Sequence, residues 1–376
     1  MTGWAVLEAL LFAGGLFFWR DRAYVAAIVV VAALHFLPDV PAPVPVVLAA
    51  WFAGLPLLLT QTLAPWLLYY ARGYGLVIAL GVLGRSAWIS SDQRSFAACF
   101  EAGARSFAGR TVEAVDTAAR RLASLPRSGW LPLVGACTIT DLLVTAGRYR
   151  QAVECAAAWD AAPAGGVSRM LYTNVRLNAV EALHNLGRVA EAWTRLRTLE
   201  AMPRPTRHER NWTALQRAWM LAAEGKGEEA LRALETMDVS GPFAWPPCYR
   251  AELRYARARA LLAAGRPGEA RAEAERGLAA SMRASSRRNG RFMIARCALA
   301  EGNLEAAVRE FRAGVEDPYT GQGGDELLLY GDTLAQLGRV DEARAEWRRV
   351  LERDAESAAC AAARARLDAT PDHPLP

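Results

Sequence analysis

Two patterns of apolar and polar positions divide the chain near residue 90. Upstream, apolar residues run on with few breaks, at 3–19 (GWAVLEALLFAGGLFFW), 23–37 (AYVAAIVVVAALHFL) and 46–70 (VVLAAWFAGLPLLLTQTLAPWLLYY). Downstream, apolar residues alternate with charges at helical spacing, and the pattern returns at intervals. Aligned on one turn it reads AGRTVEAV (108–115), AGRYRQAV (146–153), LGRVAEAW (186–193), EGKGEEAL (224–231), AGRPGEAR (264–271), EGNLEAAV (301–308) and LGRVDEAR (337–344). The turn glycines, Gly109, Gly147, Gly187, Gly225, Gly265, Gly302 and Gly338, stand 38, 40, 38, 40, 37 and 36 residues apart. An alanine follows each by five positions, at Ala114, Ala152, Ala192, Ala230, Ala270, Ala307 and Ala343.

Each position has a physical reason. Glycine stops one helix where the backbone turns left-handed. The acid before the alanine (Glu113, Glu191, Glu229, Glu269, Glu342) falls in the first turn of the next helix, where the dipole favours negative charge. Gln151 and Ala306 depart from this. The alanine lets two helices approach closely. A larger residue nine after the glycine, such as Leu196, Leu234, Phe311 or Trp347, wedges into the neighbouring repeat. The pattern predicts an all-α array of about seven helix pairs.

These residues resemble the tetratricopeptide repeat family over roughly 90–365. In the last unit Gly331, Leu337, Gly338, Glu342, Ala343 and Trp347 stand where the family's turn and packing residues belong. The family period is about 34 residues, so the longer units here imply extra residues in helices or in links such as SGPFAWPPC (240–248). The family's tryptophan near the start of the first helix is missing from the last unit.

The resemblance implies an α-solenoid whose first helices line a concave face that binds a protein, as an extended peptide or a helix. The family's inner-face positions lie 13, 9 and 6 residues before the turn glycine. Carried over, they fall on Asn174, Asn178 and Glu181, then on Trp212, Gln216 and Trp219. Next come Glu252 and Arg259, Asn289 and Arg296, and Asp325 and Asp332. Trp212 and Trp219 form either an apolar shelf for a partner or the plug of a repeat joint, and the sequence leaves both open. The asparagine–lysine clamp with which some family members hold C-terminal carboxylates is not reproduced.

The N-terminal runs read as a membrane anchor at 1–74, with spans at about 3–19, 23–37 and 46–70. A cleaved signal peptide would begin basic and give way to a polar chain. Here an uncharged start is followed by Arg20-Asp21-Arg22 and more apolar residues. The first two runs fall short of the roughly 20 residues of a span, which Arg20 and Arg22 offset by reaching to the headgroups. Pro38, Pro41, Pro43 and Pro45 forbid helix between the second and third runs. Trp66, Tyr69 and Tyr70 suit an interfacial belt. Two arginines in the first loop and Arg72 after the third run put the N-terminus outside and the repeats in the cytoplasm. Residues 75–89 read as an apolar connecting helix; if they cross instead, the repeats face the other side. Glu8 and His35 come to similar depth in a tight hairpin. They make either a buried acid–imidazole pair or two groups that reach water at the outer surface, and the short spans favour the second.

Composition narrows the function. Residues 1–89 carry only Glu8, Asp21, Asp39, Arg20, Arg22, Arg72 and Arg85, which leaves 40 of the 44 basic and 36 of the 39 acidic residues downstream. That balance suits a solvated helical surface and disfavours nucleic acid, which needs a concentrated positive face. Six scattered cysteines without CxxC spacing read as small apolar residues. The histidines, His35, His184, His208 and His373, have no second ligand at helical spacing, so no metal or cofactor is expected. No GxSxG, P-loop or dinucleotide pattern occurs, and no serine precedes Ser86 to partner His35. The tail from 366 to 376 reads as disordered.

The expectation is therefore a non-enzymatic, multi-pass membrane scaffold that holds a protein partner in its repeats. The alternative is an accessory subunit of a membrane enzyme or transport complex, with the anchor as the interface. Protease added outside intact cells is expected to spare the repeats and to digest them once the membrane is opened. Digestion from outside would mean that 75–89 crosses as a fourth span.

Overall fold

The computed structural model describes residues 76–78, 91–111, 113–115, 118, 130–159, 166–240, 245–316, 324–352 and 357–370. The anchor at 1–74, with Glu8 and His35, lies outside the described residues, as does most of 75–89. Residues 76–78 are helical, with Val77 buried and Leu76 exposed. Among the described residues there is no strand, and no helix is long and apolar enough to cross a membrane.

The helices are α1 (Ser91–Phe107), α2 (Trp130–Thr145), α3 (Tyr149–Ala157), α4 (Gly166–Asn185), α5 (Val189–Glu200), α6 (Arg207–Ala223) and α7 (Gly227–Glu235). They continue as α8 (Arg250–Ala263), α9 (Pro267–Ala280), α10 (Ala284–Ala300), α11 (Leu304–Val315), α12 (Gly324–Gln336), α13 (Val340–Leu351) and α14 (Ala358–Ala369). Helical residues 111, 113–115 and 118 stand opposite α1 as its partner. From α2 to α13 the helices form pairs, and every pair is joined by one of the glycine turns.

All seven turn glycines have positive φ, from 73° at Gly147 to 97° at Gly109. The turn is a Schellman stop: Gly187 N–H donates to His184 O at 3.0 Å and Arg188 N–H donates to Leu183 O at 2.9 Å. The residue after the glycine is reused at once. The Arg188 carbonyl accepts from Ala192 N–H at 3.0 Å, so the residue that closes one helix opens the next. The same bonds recur at Gly147, Gly225, Gly265, Gly302 and Gly338. The acid read as a dipole partner also pairs with this basic residue, as in Arg110–Glu113 (2.7 Å), Arg266–Glu269 (2.8 Å) and Arg339–Glu342 (2.7 Å). These pairs are exposed and contribute little beyond local order.

The alanine five places on is fully buried in every unit, and Leu196, Leu234, Phe311 and Trp347 are buried beside it. The core is thus a row of linked clusters between successive helices. From the second pair to the sixth the first helix packs on the first helix of the next, in α2–α4, α4–α6, α6–α8 and α8–α10, and beyond it α11 packs on α12. The stack also curves round on itself: α1 touches α10, and the Gly187 turn approaches Ala358 of α14. Residues 366–369, read as the start of a disordered tail, are instead helical. Leu367 packs on the core and Arg366 pairs with Asp332 at 3.1 Å, which extends the folded part to the end of α14.

Two glycines outside the turns separate close packing from open surface. A Cβ on Gly227 would collide with the backbone of Ala264 and Ala260, whereas one on Gly268 meets nothing. Gly227→Ala is expected to lose about 1–3 kcal/mol in thermal or urea unfolding. Gly268→Ala should gain about 0.4–1 kcal/mol by restricting the unfolded chain.

Candidate binding cavity

The curvature leaves a cavity of about 690 Å³ inside the stack, lined by the first helices of the pairs and by short connecting segments. All ten positions Asn174, Asn178, Glu181, Trp212, Gln216, Trp219, Glu252, Arg259, Asn289 and Arg296 line it. They converge because each sits on the inner face of α4, α6, α8 or α10, and these helices pack side by side. Asp325 joins them; Asp332 does not. Asp332 is turned instead to the end of the stack, where it accepts from Trp347 Nε1 at 3.2 Å and pairs with Arg366.

Several of these side chains also tie one repeat to the next. Asn178 Nδ2 donates to Thr140 Oγ1 at 2.9 Å, and Asn174 Oδ1 lies 3.0 Å from His208 Nε2. Burial lowers the His208 pKa to about 4, so the ring is neutral and acts here as a hydrogen-bonding group. Trp212 packs at a tilt on Trp245, ring centres 4.8 Å apart, and meets Tyr249 edge-on at 4.9 Å. It is therefore part of a repeat joint as well as of the cavity wall. Trp245, from the proline-rich link, is buried and plugs the joint together with Tyr249. Trp219 carries the Arg259 guanidinium over its ring at 5.1 Å.

The same offsets in the second unit give Val134, Thr138 and Asp141, which line the cavity too. Asp141 was thus within reach of the sequence. Arg283, Tyr149 and Tyr249 were not, because they sit at helix starts and in a link, outside the repeat register. Arg283 precedes α10 and is buried, with its guanidinium between the rings of Phe107 (4.8 Å) and Tyr249 (5.0 Å). It ties the first helix to the sixth pair.

Acid predominates in the wall. Asp141, Glu181, Glu252, Asp325 and Glu326 face Arg259, Arg283 and Arg296. Glu181 is open to the water of the cavity yet walled in by protein. Loss of bulk solvent, then repulsion from Asp141 and Glu252, pushes its carboxyl up to about 7, and Arg283 and Arg259 offset only part of this. Burial and the neighbouring Glu252 likewise raise Asp141, against the pull of Arg283. On the Arg259 side burial, then Arg296, lowers the guanidinium to about 10. Burial opposes the charge of Arg283, but Tyr249, Glu252 and Asp141 hold its pKa high. Cys99 and Cys137, also in the wall, have thiols pushed up to about 12 by burial and are poor nucleophiles. Among the described residues no group of three His, Cys, Asp or Glu could hold a metal ion.

A carboxyl raised by folding binds more protons in the folded than in the unfolded chain. Its stabilising effect is complete below the unfolded value of 4.5 and is lost as pH rises through about 7. Glu181→Gln is therefore expected to leave the melting temperature unchanged near pH 4 and to raise it near pH 8. Cavity water screens the charge, which keeps the gain under about 1 kcal/mol. Equal melting curves at both pH values would mean that Glu181 is not raised.

Compared with family models and with curated proteins, the chain has no match.

Proposed function

We propose that the chain is a membrane-anchored, tetratricopeptide-like α-solenoid that holds a protein partner in its concave interior. One observation carries this reading. Ten side chains, taken from separate units by a single spacing rule, line one cavity. Structural joints alone would be served by the buried alanines and leucines. The inner wall adds amides, carboxylates, guanidiniums and indole faces, the mixture that orients a bound chain. The seven Schellman turns and their following alanines support the family resemblance, although the period exceeds the family's. The N-terminal runs then supply the anchor, which fixes the interior close to a bilayer and raises its effective concentration for membrane partners.

A photoreactive benzoylphenylalanine placed in the full chain tests this in intact cells. At position 216, inside, it is expected to crosslink one discrete protein, and Trp219→Ala should abolish that product. At position 232, on the exposed side of α7, it should give none. Equal products from both positions, or partner contact only from 46–70, would transfer the function to the outer surface or to the anchor.

A further inference from the structure

We propose that the occupant of the cavity is a short extended peptide segment carrying an arginine or lysine side chain, received between Asp141 and Glu181. This rests on the reading of the cavity as a partner site and adds the chemistry of the partner.

The charges of the wall are not equally committed. The three arginines are held by the protein itself. Arg296 pairs with Glu326 at 3.3 Å, Arg259 lies over Trp219, and Arg283 is clamped between Phe107 and Tyr249 while donating to Ser285 Oγ at 3.2 Å. The carboxylates are less so. Glu252 accepts from Ser286 at 2.5 Å, but among the described residues Asp141 and Glu181 accept no hydrogen bond and stand in no ion pair. The two are close enough to repel each other, and Glu252 repels both. Arg259 too makes no ion pair among the described residues, but five carboxyls stand against three guanidiniums, so the net charge the cavity leaves uncompensated is negative. A cationic side chain would relieve that repulsion, and the cavity walls leave the interaction less screened than it would be on an open surface.

Other features point to a peptide rather than a bare cation. The amides of Gln216 and Asn289 line the cavity without a partner among the described residues, and each can both donate to and accept from a peptide backbone. Arg283 is 8% exposed, and its Nε, a donor shut away from bulk water, has no acceptor. A carbonyl group of an occupant pressed against that wall would supply one. The indole faces of Trp212 and Trp219 add apolar area for side chains flanking the cation. A cavity of about 690 Å³ is of the size that encloses a small ligand or a few residues of extended chain.

The test uses the full chain in lipid nanodiscs and isothermal titration with three blocked pentapeptides, glycine-leucine-X-leucine-glycine, with X arginine, methionine or glutamate. The arginine peptide is expected to bind about tenfold or more tightly than the methionine peptide, with the glutamate peptide weakest. Asp141→Asn and Glu181→Gln should each cut the arginine preference to about threefold or less while the methionine peptide binds as before. Both changes conserve shape, and Glu181 is open to water, so Glu181→Gln reports even if Asp141→Asn unfolds. Equal affinities, a preference for glutamate, or a preference that survives both variants would overturn the cationic assignment. In the first two cases, loss of all binding in Trp219→Ala would leave the cavity as a partner site. No binding by any peptide would overturn both.

Discussion

Everything in this molecule hangs on a backbone conformation that only glycine adopts without strain. Each turn needs a φ between +73° and +97°, and each is placed so that one residue both terminates a helix and caps the next. With no spare residue in the connection, the second helix must fold back along the first, and the side chain five places on is pressed into the partner helix. Only alanine leaves room there, which is why that position is fully buried in all seven units. In four units the residue four places later is larger (Leu196, Leu234, Phe311, Trp347) and closes the gap between pairs; in the others it is again alanine (Ala118, Ala156, Ala274). Turn, alanine and wedge are one device, repeated.

The interior follows from stacking these devices. A first helix that packs on the first helix of the next pair exposes a constant face toward the axis of curvature, so residues at fixed offsets from the glycine share a surface. The first pair meets the sixth, and the Gly187 turn meets the terminal helix in the eighth place, so the stack comes round in about five pairs. The contact of Arg283 with Phe107 is made possible by this closure. It turns a concave face into a walled space in which carboxyls repel one another more strongly than they would on an open surface.

Much of this was legible in the chain. The glycine and alanine positions gave the helix pairs, and the offsets from the glycines gave the inner-face residues, because a helix fixes side-chain direction by position alone. The same rule failed for Asp332, since the last unit has no following pair to curve toward and its first helix is covered by α14. It had no means of finding Arg283 or Tyr249, which reach the cavity from a helix start and a link. The helix over 366–369 is not legible in the chain, because Arg366 and Leu367 show their value only once Asp332 and the terminal core stand opposite them.

The sequence by itself determined the local geometry: where each helix stops, which face is apolar, and which side chains share a direction. These depend on single residues and short spacings, and each is written in the chain next to its consequence. Tertiary structure alone decided how many pairs complete a circuit, that α1 meets α10, and that the unpaired carboxyls of Asp141 and Glu181 come together in one cavity wall. Those outcomes sum small rotations over many pairs. A rotation of that kind is set by how every wedge fits its neighbour, and no single residue carries it.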